Sequence, residues 1–292
     1  MKKSTLVLAC LLGCSATFAQ DLTSKKGETI LPEAGDWSIG VDAAPFLNYF
    51  GRFLSNAGGT APTFEFLDGS LMHIVGKRYV DETTAQRAIL RLGFTSSSST
   101  AMIGDASSTT PPTFPNLPAM VEDKMKSSNK HIGIGAGIEK RRGKTRLQGL
   151  YGADGMIVFM GSSESYEYGN AMTATSNAAA ISSNFGTNIT TDTYGNAARV
   201  TKMKGSSTFG IVVRGFIGAE YFILPKISVG GEFGWGLLFG KMTATSTTTE
   251  SSNGTNTGTQ TIESGKGGAF GIDVDQNMTG TGNGTLRLNF HF

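Results

Sequence analysis

The charged residues of this chain recur at alternate positions, and that spacing decides what chemistry they could do. Asp42, Lys77, Arg87, Arg91, Glu139, Arg214, Glu220, Glu232 and Arg287 each sit in segments where apolar residues alternate with Gly or polar ones. His73 and His291 fall on the same side in the same register. Residues two apart on a strand share a face, so these side chains converge on one surface. Charges gathered on an enclosed face are tolerable only when paired and hydrogen-bonded. Two chemistries follow. Fixed Asp/Glu–Arg/Lys pairs make a structural plug, and breakable pairs make a gate or a narrow ion path.

Catalytic signals are thin. The chain has three histidines, His73, His131 and His291, and no Ser is tied to one of them by motif or spacing. There is no Gly-x-Ser-x-Gly elbow. His73 has Glu65 and Asp68 nearby in sequence. Asp273-Val274-Asp275-Gln276-Asn277 begins like a Ca²⁺ loop. Met278 stands where that loop needs Gly, and Gly284 where it needs Glu, so an Asx-rich turn is expected instead. Gly-Thr-Gly-Asn-Gly at 280–284 lacks the Lys-Ser/Thr end of a phosphate loop. No catalytic residue, cofactor or metal is expected.

Eight alternating segments must position the charges. They are Trp37–Phe46, Ser70–Val80, Thr84–Phe94, His131–Glu139, Lys144–Met160, Thr208–Phe222, Lys226–Phe239 and Thr285–Phe292. HIGIGAGIE and TLRLNFHF alternate most strictly. Connections sort by parity. Residues 81–83, 140–143 and 224–226 are tight turns, whereas 47–69, 95–129, 161–207 and 240–283 are long. The long ones are rich in Ser, Thr, Asn and Gly, as at Ser96–Thr110 and Thr243–Thr261, and are expected to bury no core. Leu117–Lys126 and Met172–Ile181 are candidate short helices. Trp37, Tyr49, Tyr79, Tyr151, Tyr221, Trp235 and Phe292 fit an aromatic girdle.

Composition agrees. Apolar residues make up 39% and Gly 40 of 292, against a usual Gly share of ~7%. That suits a closed sheet with one apolar face. No stretch reaches the ~18 apolar residues of a membrane helix. Lys2, Lys3, the apolar run Leu6–Gly13 and Thr17-Phe18-Ala19 before Gln20 fit a signal peptide over 1–19. Lys2 and Lys3 account for the formal surplus of +2, so nothing basic remains to argue for nucleic acid. Cys10 and Cys14 both lie in that segment, leaving no thiol for a disulfide or metal. Leu11-Leu12-Gly13-Cys14 is the competing reading, a lipoprotein box with Cys14 lipidated.

Lys2-Lys3…Ala19-Gln20, HIGIGAGIE, ISVGGEFGWGLLFG and the terminal LRLNFHF together resemble the outer-membrane β-barrel family of Bacteroidetes-type bacteria, similar in build to small OmpA- or OmpX-type, porin-family barrels. The resemblance implies an all-β, eight-stranded antiparallel transmembrane up-and-down barrel with four long extracellular loops. A periplasmic lead-in would occupy 20–35 and the barrel 36–292. It also implies a Gram-negative outer-membrane location, contact with membrane lipid and lipopolysaccharide, and an aromatic assembly signal at Phe290 and Phe292 read by the barrel-assembly machinery. The expected role is non-enzymatic, structural or surface-interacting, with an extracellular ligand or partner held by the loops. A narrow porin-like channel and a lipid-modifying enzyme are the alternatives.

Overall fold

The computed structural model describes residues 22–24, 26–43, 74–109, 113–273 and 285–292. Among them the chain is all-β, 67% strand and without helix. Thirteen strands form one antiparallel sheet: β1 Trp37–Asp42, β2 Ile74–Asp81, β3 Thr84–Gly104, β4 Met120–Arg142, β5 Leu147–Glu167, β6 Ile189–Thr191, β7 Ala197–Lys204, β8 Thr208–Leu224, β9 Ile227–Met242, β10 Ser246–Ser252, β11 Thr257–Glu263, β12 Gly267–Asp273 and β13 Thr285–His291.

Eight of them pair in a ring. Each of β1, β2, β3, β4, β5, β8, β9 and β13 bonds to the next, and β13 bonds back to β1 through Ser38↔His291 to Asp42↔Arg287. The alternation in sequence is the cause. On β9, Phe233, Trp235, Leu237 and Phe239 face out, while Ser228, Gly230, Glu232 and Gly234 face in and are buried. Glycine inside is a matter of space at two positions. A Cβ on Gly234 would lie 2.6 Å from Arg214 Nε, and one on Gly152 would lie 2.6 Å from the Phe216 ring.

The two-residue turn Pro225-Lys226 joins β8 to β9, with Lys226 at φ 68°. Glu82-Thr83 joins β2 to β3. The turn expected at 140–143 falls instead at 143–146, because β4 runs on through Arg142, with Arg141 buried, and β5 begins at Leu147.

The long connections depart further from expectation. Residues 95–129 are not one loop. β3 and β4 continue as a ladder to Gly104↔Met120. The candidate helix over Leu117–Lys126 is overturned by the same pairing, and Met172–Ile181 forms turns. Residues 161–207 hold the end of β5 with β6 and β7, and residues 240–283 hold β10, β11 and β12. β5 passes from β8 to β7 above Met160, giving a polar upper sheet in the order β4-β5-β7-β10-β11. This upper unit is called the cap below. The first long connection, 47–69, lies outside the described residues, as do 1–19, Tyr49, Glu65, Asp68, His73 and 274–284.

The ring interior has two levels. Val75, Ile89, Met156, Val158, Val212 and Leu238 form one apolar cluster, each 7% exposed or less. On every contributing strand that cluster lies nearer the long connections. The fully buried charged residues lie nearer the short turns.

Candidate functional site

Two carboxylates organise the charged level. Glu232 on β9 receives Arg87 bidentately, with NH1 to Oε1 at 3.0 Å and NH2 to Oε2 at 3.1 Å. Arg287 NH1 adds a bond to Oε1 at 2.7 Å, and Arg214 NH1 stands 3.5 Å from Oε2. Glu220 on β8 takes Arg141 NH2 at 3.0 Å, Asn289 Nδ2 at 2.6 Å and the Ser228 hydroxyl at 2.5 Å. Glu139 on β4 joins the two groups, accepting from Lys77 at 2.9 Å and from Arg87 at 3.0 Å. Asp154 on β5 lies 3.2 Å from Arg87 Nε and 3.8 Å from Arg214 NH1.

Burial makes these pairs mandatory. Lys77, Arg87, Glu139, Asp154, Arg214, Glu220, Glu232 and Arg287 are all 6% exposed or less. A lone ion would cost several kcal/mol there. The network also uses π faces. The Arg87 guanidinium stacks 4.1 Å from the Phe216 ring centre, and Arg141 lies 5.1 Å from Tyr79 and 5.2 Å from Phe222.

Of the residues singled out in sequence, Lys77, Arg87, Glu139, Arg214, Glu220, Glu232 and Arg287 are brought together. Asp42 stands opposite Arg287 in register and is half-buried. Arg91 is half-buried and faces inward nearer the long connections, with the half-buried His131 on the neighbouring strand. Phe290 is exposed on the outer face, and Phe292 closes onto Trp37 through backbone bonds of 2.8 and 2.9 Å.

Four participants were missed. Arg141 read as part of a turn. Asp154 lies on a segment whose inner positions include Met156 and Val158, which blurs the alternation. Tyr79 belongs inside rather than in a girdle, being 1% exposed with its hydroxyl 3.4 Å from His291 Nδ1. Ser228 is buried beside His291, a contact that nothing in the local sequence marks.

Ser228 Oγ lies 2.9 Å from His291 Nε2 with Glu220 alongside, which puts a Ser, a His and a Glu in contact. The polarity is wrong for a nucleophile. The single hydroxyl proton of Ser228 goes to Glu220, so Nε2 donates to Oγ and Nδ1 faces the Tyr79 hydroxyl. A catalytic base would need Nε2 free to accept that proton, with the carboxylate on Nδ1. Ser228 is also 0% exposed. The trio is a hydrogen-bond chain that locks the short-turn end.

The cap holds a second polar core. Arg199 on β7 is 2% exposed. It donates to Glu250 at 2.6 Å, to the Ser182 hydroxyl at 3.0 Å and to the Asn170 carbonyl at 2.7 Å, and lies 4.2 Å over the Tyr168 ring. Asp123 accepts from Gly169 N at 2.9 Å and Ser183 N at 2.6 Å. Asn170 and Asn188 bond backbone groups of the surrounding turns. The Ser/Thr-rich segments therefore do bury a core, in which these polar groups lie among the buried Ala178, Ile181, Ala198 and Val200. Burial pushes the Tyr168 phenol up to about 12, which keeps it a donor to the Val200 carbonyl at 2.6 Å. Hydrogen bonds from Asn196, Ser251 and the loop backbone hold the Asp192 carboxyl down at about 2. No known protein-family model, curated protein or solved structure matches the chain, so its function is read from geometry.

Proposed function

We propose that the ring of eight strands is a transmembrane β-barrel of a Gram-negative outer membrane, closed inside, whose role is to hold the polar cap at the cell surface as an interaction platform. One observation carries the reading: the molecule is inside out. Its buried interior holds Lys77, Arg87, Glu139, Glu220 and Glu232, while Ile39, Leu90, Leu92, Ile134, Ile138, Ile211, Ile217, Trp235 and Phe239 are 40–61% exposed. An apolar band of that extent facing water is a membrane surface or an aggregation site.

The band has the right height. On β4 the outward series is Lys130, Ile132, Ile134, Ala136, Ile138, Lys140. The ten residue steps from Lys130 to Lys140 span about 33 Å of strand. That is about 23 Å at the ~45° tilt of a membrane strand, close to the ~25 Å apolar belt of such barrels. Aromatics mark both edges, with Trp37, Tyr151 and Tyr221 toward the short turns and Phe94, Phe159 and Phe209 at the other rim. Signal-peptide export to that membrane and insertion by the barrel-assembly machinery through Phe290 and Phe292 belong to the same proposal.

The channel alternative loses support from the interior. An ion would have to pass both the Glu232 network and the apolar cluster from Val75 to Leu238, and an apolar constriction resists ions. The enzyme alternative loses support from the burial and polarity of Ser228. Purified protein should float with lipid vesicles, show heat-modifiable gel mobility and give no conductance steps in planar bilayers. Failure to float would remove the membrane reading, and regular conductance steps would remove the closed interior.

A further inference from the structure

Immediately beyond the apolar band, the outward face of the sheet carries a group of lysines, with Glu167 opposite Lys124 in the row above them. Outward positions continue without a register break up β4 to Ser128 and Lys126 and up β5 to Ser163 and Ser165. β7 then adds Lys204 opposite Ser163 and Lys202 opposite Ser165. Directly paired residues share a face of a sheet. One row therefore reads Lys126, Ser165, Lys202, and the row beneath reads Ser128, Ser163, Lys204. Lys130, opposite Gly161, closes the lower edge at the rim of the band.

The four lysines are exposed, and the serines between them are half-buried. None of the four makes an ion pair among the described residues. Strands in a sheet lie ~4.8 Å apart. Lys126 and Lys202 thus stand about 10 Å apart across Ser165, wide enough for one phosphate to bond both ammonium groups and the hydroxyl between them. Two lysines near the short turns have partners of their own. Lys226 at the short-turn end pairs with Asp36 at 3.5 Å, and Lys140 donates to Thr84 at 2.7 Å.

We infer that Lys126, Lys202 and Lys204, with Lys130 below and Ser163 and Ser165 as floor, form a binding site for the phosphorylated headgroup of a lipid in the outer leaflet. The site rests on the membrane reading above, because it is the position of the frame at the edge of the band that selects a lipid. Acyl chains would lie along the outward Ile132 and Phe159, and the headgroup would sit at the height where the frame begins. Four unpaired ammonium groups around hydroxyls match a phosphomonoester, which carries more charge than a phosphodiester.

Native mass spectrometry of the full protein with phosphatidic acid, phosphatidylcholine and inorganic phosphate tests this. Wild type should retain phosphatidic acid at least about tenfold better than phosphatidylcholine, and K126Q/K202Q/K204Q should lose that preference. K140Q should keep it. Inorganic phosphate should fail to compete at millimolar concentration. Selectivity unchanged in the triple variant, or competition by free phosphate, would overturn the lipid site. Vesicle flotation separates the two readings: a protein that floats but shows no selectivity sinks the headgroup site alone, and one that does not float sinks both.

Discussion

The ring interior and the cap are both polar cores, yet they are built on opposite plans. In the ring, charges answer charges across the chain. Arg87 meets Glu139 52 residues away and Glu232 145 residues away. In the cap, amides and carboxylates answer the backbone. Asn188 bonds partners 3 to 20 residues off, and Arg199 reaches Asn170 across 29. The first plan requires that every strand be in place. The second serves backbone groups, some within one turn, as at Asn188, and some across 46 to 66 residues, as at Asp123 and Asn170. Damage should therefore spread through the ring and stay local in the cap.

The sharpest test is Glu232→Ala. It strands Arg87, Arg214 and Arg287 around a buried hole and should destabilise the whole ring by about 3–5 kcal/mol. Loss of heat-modifiable mobility at lower denaturant would register it. A local effect confined to one strand would break the comparison. Arg199→Ala removes hydrogen bonds from a charged donor in the cap and should cost about 2–3 kcal/mol there. Faster hydrogen exchange within 182–204, with ring mobility unchanged, is the expected pattern.

Replacing both members of a charged pair should cost less than breaking it. Lys77→Met with Glu139→Leu ought to lie closer to wild type than either single change, although Arg87 loses one of its partners in the double variant. Urea midpoints of the four proteins would decide. A double variant no better than the worse single would show that the network cannot be divided.

The smallest effect is acid sensitivity of the cap. Asp192 is held at about 2, below its ordinary 3.8. A depressed carboxyl contributes stability above the ordinary value and loses it as pH falls through the folded one. Between pH 4 and pH 2, exchange should quicken around Thr191–Ala197 before it does in the ring. Simultaneous loss in both regions would contradict the separation.

How much of this was legible follows from what each plan leaves in the sequence. Period-two alternation placed Lys77, Arg87, Glu139, Arg214, Glu220, Glu232 and Arg287 inside, because a strand with an apolar outer face gives a clean two-state pattern. Arg141 escaped because Lys-Arg-Arg-Gly reads as a turn, and its inward partners, Glu220, Tyr79 and Phe222, are all distant in sequence. Asp154 escaped because its strand turns apolar on both faces where the inner apolar cluster begins. The cap escaped almost entirely. Its buried hydrogen-bonding residues, Asp123, Asn170, Asn188 and Arg199, are polar, and hydropathy cannot distinguish a buried Asn that serves the backbone from an exposed one. The extension of β3 and β4 was hidden for the same reason: Ser96–Thr100 has low hydropathy, yet it pairs residue for residue with Lys124–Ser128.

The closing strand has a consequence in time. Arg287, Asn289 and His291 sit on β13, which follows the other ring strands in chain order, and they are partners of Glu232, Glu220 and Ser228. Until β13 arrives, an intermediate containing β8 and β9 has carboxylates without their full set of donors. Such a partial sheet gains little by closing early around them. Completion is thus favoured only when the final segment docks, so that the seam acts as a checkpoint on assembly order and the interior seals in one cooperative step.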